Sequence, residues 1–263
     1  MGVRLRVVSY NVHSLRDDLA ALAAVVRSLA PDVLIVQEAP RRWRWRTKCA
    51  RLADSFGLYH AAGGLPSLGN VIMTSLRVRV HETWCLRYPL IPGHHMRGAA
   101  FARCQVAGAA PFVVAGSHLS TYDTERTGQA TLLKPALGAC SDPVILGLDL
   151  NETDEGPAWQ LLCSDLVDAA TATGHGGQCT FPVRAPDRRI DALFIDPRLP
   201  VTRYDVYANE MTARASDHLP IVADLTIAPG AKHADRHGAG DPSRRSTGSG
   251  SVNVPQNSWP FSR

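Results

Sequence analysis

The sequence predicts an α+β domain built from packed sheets, and two observations carry that reading. Strand-like apolar runs recur along most of the chain. Some of them alternate with helix-periodic segments while others follow one another through short links, a mixture that a regular doubly wound sheet does not give. At 263 residues with 45% hydrophobic content, the chain can bury one large core. Composition changes at Pro229, after which Gly, Ser, Pro, Arg and His dominate. The expected organisation is therefore one domain over 1–228 and a disordered tail over 229–263, too poor in apolar residues to offset the entropy of ordering.

Residues 4–10 read as a buried strand, after which Leu15, Leu19, Leu22, Val25, Val26 and Leu29 recur at helical spacing until Pro31. Residues 32–38 form a second strand with a polar end, and a basic, Trp-bearing helix is expected from Arg41 to Phe56. Gly63, Gly64, Pro66 and Gly69 mark a loop. Residues 70–86, 98–106 and 111–117 then read as successive strands, the last two joined by a turn at Gly108. Helices are expected over 123–138 and 155–163, a buried strand over 143–148, and final strands near 190–195, 201–207 and 221–227.

Several function classes are disfavoured at once. No run approaches the roughly 18 apolar residues of a membrane span, so no stable membrane insertion is expected. The N-terminal residues show no apolar signal core, which makes a cytoplasmic location the expectation. The six cysteines have no Cys-x-x-Cys spacing and are read as reduced thiols. Of the net charge of +4, residues 228–263 contribute five basic against two acidic side chains, leaving 23 basic and 22 acidic elsewhere. A near-neutral domain is a weak pointer to nucleic acid. A monomer is expected.

The chemistry sits at strand ends. Asn11, Glu38, His118, Asp149, Asn151, Asp191, Asp217 and His218 each stand at or just beyond an apolar run. Metal-assisted phosphoester hydrolysis needs a carboxylate for a hard cation, a base for water, and donors for the developing charge. Glu38 is the best single metal ligand, because a carboxylate closing a buried strand is unfavourable unless coordinated or paired. Asp217 and His218, adjacent at a turn, would set a metal carboxylate beside a general base, with Asp191 as the acid that fixes the tautomer of His218. Asp149 and Asn151 share one strand face and could orient water and bind a phosphate oxygen; an Asx turn explains the same residues. His118 could contact a phosphoryl oxygen or the leaving group, or be structural. Asn11 could steady the metal carboxylate or the phosphate.

Together the segments SYNVHSL (9–15), DVLIVQE (32–38), GNVIMTS (69–75), RGAAFARCQV (97–106), GSHLS (116–120), LGLDLNE (146–152), RIDALFID (189–196) and SDHLPIVADL (216–225) resemble the endonuclease/exonuclease/phosphatase family, the DNase I-like metal phosphoesterases. The resemblance implies a four-layer αββα sandwich with two mostly antiparallel central sheets flanked by helices. It implies Mg²⁺ or Mn²⁺ held by Glu38 with Asn11 and Asp217 near it, and water activated by His218 and Asp191. Asp149, Asn151 and His118 would position the nucleophile or contact phosphate, and Asn70 and Arg97 would be secondary substrate contacts. One departure is Leu148, which stands where the family usually has Gly before the Asp-x-Asn pair, and whose side chain would narrow the approach to Asp149.

The family holds nucleases, RNA deadenylases, lipid phosphodiesterases and phosphomonoesterases, so the fold does not choose among them. The Gly-Ser-His-Leu segment argues against its abasic-site branch. The expected activity is hydrolysis of a phosphodiester, with a nucleic acid among the expected substrates. Phosphomonoester or lipid phosphodiester hydrolysis is the alternative, and a non-catalytic binding module is a third reading. The run from Arg41 to Lys48, with Trp43 and Trp45, could grip phosphates and stack on bases, or could be an amphipathic helix whose tryptophans pack on a sheet.

Overall fold

In the computed structural model, which describes residues 2–230, the first apolar run becomes β1 (Val3–Asn11) and its helical successor α1 (Leu19–Leu29). The Asp18 side chain starts that helix by accepting hydrogen bonds from the Ala20 and Ala21 amides, and Ala30 ends it in a left-handed conformation before Pro31. The chain continues through β2 (Val33–Gln37), α2 (Trp45–Phe56), β3 (Tyr59–Gly63), β4 (Val71–Thr74), β5 (Val78–Arg87), β6 (Gly98–Val106) and β7 (Phe112–His118). It then forms α3 (Asp123–Gly138), β8 (Val144–Asp149), α4 (Pro157–Cys163), β9 (Val167–Asp168), α5 (Ala169–Ala172), β10 (Asp191–Ile195), β11 (Val201–Val206), α6 (Thr212–Ala215) and β12 (Ile221–Ile227).

Two six-stranded sheets result, in the orders β11-β12-β1-β2-β4-β3 and β5-β6-β7-β8-β10-β9. Each is organised around one parallel pair, β1/β2 in the first and β7/β8 in the second, with antiparallel strands on either side. Strand alternation divides the apolar residues among three layers. In β2, Val33 and Ile35 enter the layer between the sheets while Leu34 and Val36 pack towards α1 and α2. In β7 and β8, Val114 and Ile145 face the first sheet, whereas Val113, Leu146 and Leu148 pack with residues of α3 and α4. The αββα sandwich expected from the sequence is the fold.

Four local expectations are corrected. The run 70–86 is two strands in different sheets, broken by a turn at Ser75 in which the Val78 amide donates to the Ser75 carbonyl and Arg77 pairs with Asp32 at 2.7 Å. Strand β3, with no strong strand signal in Tyr59–Gly63, is added at an edge by pairing with β4. Helix α2 starts at Trp45 rather than Arg41, because Arg44 stands in the left-handed region at φ 57°. Pro229 and Gly230, assigned to the tail, pair with the turn at Ala109 and Gly108; the rest of the expected tail lies outside the described residues.

Leu148 is corrected as well. Its side chain is buried on the helix side of its sheet, opposite Asp149, and does not narrow the approach to that carboxylate. The close approach falls instead on Gly147 and Gly116. A Cβ on Gly116 would stand 2.6 Å from Ile35 Cγ2, and one on Gly147 would stand 2.7 Å from Ile35 Cδ1 and 2.9 Å from Ser9 Oγ. Glycine lets the two sheets meet over Ile35. Gly147→Val is expected to destabilise the protein by about 1–3 kcal/mol through overpacking, and Ile35→Ala in that background to recover part of the loss. Urea unfolding midpoints of the single and double variants check this.

Candidate active site

The carboxyl ends of both parallel pairs lie at one edge of the sandwich, and the polar residues gather there. Asn11 ends β1, Glu38 follows β2, His118 ends β7 and Asp149 ends β8. Their antiparallel neighbours begin where these strands finish, so Asp191 opens β10 and Asp217 and His218 lead into β12. Register makes the gathering concrete: His118 and Asp191 flank Asp149 as its partners on the two adjoining strands.

Side chains from the two sheets then interlock. His218 is 5% exposed, and its Nδ1 is 2.9 Å from Asp191 Oδ2. Asn11 Nδ2 donates to Asp149 Oδ2 at 2.9 Å and lies 3.5 Å from His218 Nε2. The Asn151 amide donates to Asp149 Oδ1 at 2.9 Å, which is an Asx turn, and its Nδ2 donates to the Leu119 carbonyl and reaches within 2.9 Å of His118 Nε2. The turn and the site contact coexist. Arg97 Nη1 lies 2.8 Å from His118 Nδ1, and His118 Nε2 lies 3.2 Å from Asp149 Oδ2.

Glu38 and Asp217 stand apart from this buried network. Both line an open cleft of about 960 Å³ with His13, Ser14, Arg16, Arg41, Arg42, Lys48, His95 and Arg97. Glu38 holds a left-handed backbone at φ 59°, a conformation that a non-glycine residue keeps only when its surroundings enforce it. Its Oε2 accepts from Ser14 Oγ at 2.6 Å. Asn70 is buried beneath the cleft loops, with Nδ2 donating to the Ser67 and Gly98 carbonyls and Oδ1 without a hydrogen-bond partner. Trp45 packs partly buried against the core, as an amphipathic helix requires, whereas Trp43 is 79% exposed.

The two histidines are pushed in opposite directions. Burial depresses His118 well below the ordinary histidine range, and the positive charges of Arg97 and His218 add to the effect. Burial also opposes a charge on His218, but Asp191 and Asp149 outweigh it and raise the group to about 10. Asp149, raised to about 6 by burial and by Asp191, is coupled to that same proton. A histidine whose folded value is raised contributes stability that is complete below about pH 6.5 and is lost between there and about pH 10. Metal-free protein is therefore expected to lose a few kcal/mol of stability from pH 6.5 to 10.5, and His218→Gln to flatten the trend. Urea denaturation in chelator at both pH values checks it.

Several contributors escape sequence reasoning. Thr180 Oγ1 accepts from the Ile190 and Asp191 amides, its carbonyl accepts from the Leu219 amide, and Phe181 lies 4.7 Å from the His218 ring. One loop thus braces both halves of the His218–Asp191 pair. Ser216 Oγ donates to the Asn11 carbonyl at 2.7 Å. Only Ser14 and Ser216 carry a signal, through their places inside the SYNVHSL and SDHLP segments.

A two-sheet αββα sandwich with acid, amide and histidine side chains at the ends of its parallel strands is the architecture of DNase I-like phosphoesterases. The chain belongs to the Endonuclease/Exonuclease/phosphatase family, whose model matches residues 8–218. Among solved structures, an endonuclease/exonuclease/phosphatase family protein from Bacteroides thetaiotaomicron is 18% identical with a TM-score of 0.71, covering 86% of this chain and 99% of its own. A mannosyl-6-phosphatase from Bacteroides thetaiotaomicron is 17% identical with a TM-score of 0.69, covering 84% and 99%. D. rerio TDP2, solved with a single-strand DNA product, is 19% identical with a TM-score of 0.68, covering 84% and 98%. Comparison with curated protein sequences finds no match. Among the described residues, no helix is long and apolar enough to cross a membrane.

Proposed function

We propose that this phosphoesterase hydrolyses phosphodiesters with the help of Mg²⁺ or Mn²⁺. The observation that carries the reading is the pairing of His218 with Asp191 at 2.9 Å next to a cleft lined by both carboxylates and arginines. His218 Nε2 takes a proton from water, while the Nδ1 proton is held by Asp191. Asn11 and the Asn151 amide hold the Asp149 carboxylate, which orients that water. The water oxygen bonds to phosphorus, the ester P–O bond breaks, and the leaving oxygen takes a proton from solvent. Arg97, which lines the cleft, and the Asn151 side chain beside His118 are the donors proposed for the phosphoryl oxygens.

Glu38 and Asp217 fit a hard cation. Among the described residues no arginine or lysine pairs with either, and Glu38 Oε1 accepts no hydrogen bond. Oxygen donors without a cationic partner suit Mg²⁺ or Mn²⁺. Asp149, Asp191 and His218 also offer three ligand-type atoms within 4.8 Å of one another. However, both Asp149 oxygens accept hydrogen bonds and Asp191 holds the His218 ring, so these three read as the proton-handling side. When bound, the cation supplies a Lewis acid for the phosphoryl group and a positive charge that favours neutral His218.

Trp43 is exposed and follows the cleft-lining Arg42 in sequence, with the Arg44 guanidinium 5.4 Å from its ring; an aromatic among cationic side chains supports a nucleic acid as the substrate polymer, since such groups stack on bases and pair with phosphates. The test is hydrolysis of plasmid DNA, bis-p-nitrophenyl phosphate and a set of phosphomonoesters, each with Mg²⁺, Mn²⁺ or chelator. Cation-dependent cleavage of the diesters is expected. Cleavage of monoesters alone would replace the diester reading, and activity undiminished in chelator would overturn the metal.

A further inference from the structure

We infer that Tyr122, backed by the His94 ring, is a stacking platform for one base of the substrate, and that the site consequently prefers single-stranded to duplex nucleic acid. This rests on the phosphodiester reading above. Tyr122 stands four residues beyond His118 at the end of β7, lines the cleft together with Glu38 and Arg97, and is 48% exposed. An exposed side chain ordinarily changes rotamer freely, but this one is held. Its ring lies on that of His94 with centroids 3.9 Å apart and planes 9° apart. The backing ring is itself fixed, because His94 Nδ1 lies 3.1 Å from Oε2 of the buried Glu125, which also accepts from Ser120 Oγ at 2.6 Å. Ser120 Oγ in turn accepts from the Tyr122 amide at 3.2 Å. The loop after β5 and the loop after β7 thus hold one aromatic ring in place, with one face covered by His94.

Charge identifies what such a ring receives. The cleft is lined by five arginine and lysine side chains against two carboxylates, although residues 1–227 as a whole are close to neutral. Four of the five, Arg16, Arg41, Arg42 and Lys48, come from segments that follow β1 and β2 of the first sheet, whereas Tyr122 follows β7 of the second. A fixed aromatic ring and a concentration of cations in one cleft match a ligand that carries both a π-face and several phosphates, which is a nucleic acid strand. A phosphosugar or a lipid headgroup offers the anion without the aromatic face. Stacking on Tyr122 further requires a base with an open face. In a duplex both faces are occupied by neighbouring bases and freeing one is unfavourable, so the platform selects a single strand.

Two probes with the same p-nitrophenolate leaving group, thymidine 5′-(p-nitrophenyl phosphate) and methyl p-nitrophenyl phosphate, test the platform on the full chain. Wild type is expected to prefer the thymidine ester in kcat/KM, and Tyr122→Ala to lose about 5–100-fold of that preference, the span of one base–aromatic stack, chiefly through KM. Tyr122→Trp is expected to keep the preference, His94→Ala to lose part of it and His94→Phe, which keeps a backing ring, to restore it. Fluorescence anisotropy in chelator reads binding without turnover. There wild type is expected to hold single-stranded oligothymidine more tightly than either an abasic chain of equal length or the duplex with oligoadenosine, and Tyr122→Ala to bind the oligothymidine and abasic chains alike. An abasic chain bound as tightly as oligothymidine by wild type, or a thymidine preference intact in Tyr122→Ala, overturns the platform while hydrolysis of either ester upholds the diester reading. A duplex bound as tightly as the single strand overturns the strand preference. Hydrolysis of neither ester by wild type overturns the diester reading, and base-dependent binding lost in Tyr122→Ala would still uphold the platform.

Discussion

Turnover of the His218→Ala variant is expected to fall by about 10²–10⁴-fold, the range that a positioned general base contributes. The imidazole is almost fully buried, pairs with Asp191 at 2.9 Å and lies 3.7 Å from Asp149, and among the described residues no arginine or lysine pairs with either carboxylate. Alanine would also leave two buried carboxylates on paired strands facing each other without a cation between them, so the variant should bind a proton there instead. His218→Gln fills the space and can still donate to Asp191, so it separates lost chemistry from lost packing. Circular dichroism and single-turnover rates on both variants decide the matter. Turnover within tenfold of wild type in a folded His218→Gln would remove this residue from the mechanism. In the active protein the rate should rise with pH as the imidazole loses its proton, with an acid limb displaced upward from the ordinary histidine range by the two carboxylates.

Glu38→Gly should have two opposite effects. Glu38 sits at φ 59°, where glycine is comfortable and glutamate is held at a cost of about 1–2 kcal/mol. The variant is expected to match or exceed the wild type in stability by up to about 1 kcal/mol, after the larger chain entropy of unfolded glycine is counted. Cation-dependent turnover should meanwhile drop by about 10³-fold, because a Lewis acid contributes several kcal/mol to the transition state. Stability rising while activity falls is the mark of strain kept for function. Unfolding midpoints and kcat in Mg²⁺ and Mn²⁺ check both halves together, and unchanged turnover would remove Glu38 from the metal site.

The sandwich and most of the candidate site are legible in the sequence because burial is hard to reconcile with polarity. Val33–Gln37 is buried on both faces, so Glu38 at its end stands out as needing a partner, and Asp149 and Asp191 stand out for the same reason beside their own buried strands. What stays hidden depends on contacts between distant segments. Nothing in 70–86 tells that three residues, Ser75–Arg77, carry the chain from one sheet to the other, since that turn is made by Asp32. Thr180 is an ordinary loop threonine until Asp191 and Leu219 meet it. The left-handed turn at His13–Leu15 is invisible for another reason: no glycine or asparagine marks these positions, and Leu15 fits the periodicity of the following helix.

The seam over Ile35 has a consequence for how the enzyme fails. One layer carries Asn11, Glu38, Asp217 and His218, and the other carries Arg97, His118, Asp149 and Asp191, so neither holds a base together with the acid that orients it. Two rivets, His218 to Asp191 and Asn11 to Asp149, fasten the halves a short way above the glycines that set their spacing. The machine is in effect a caliper: a half-ångström of slack between its jaws, introduced anywhere along Gly116, Gly147 or Ile35, is felt first at the tip, where protons move.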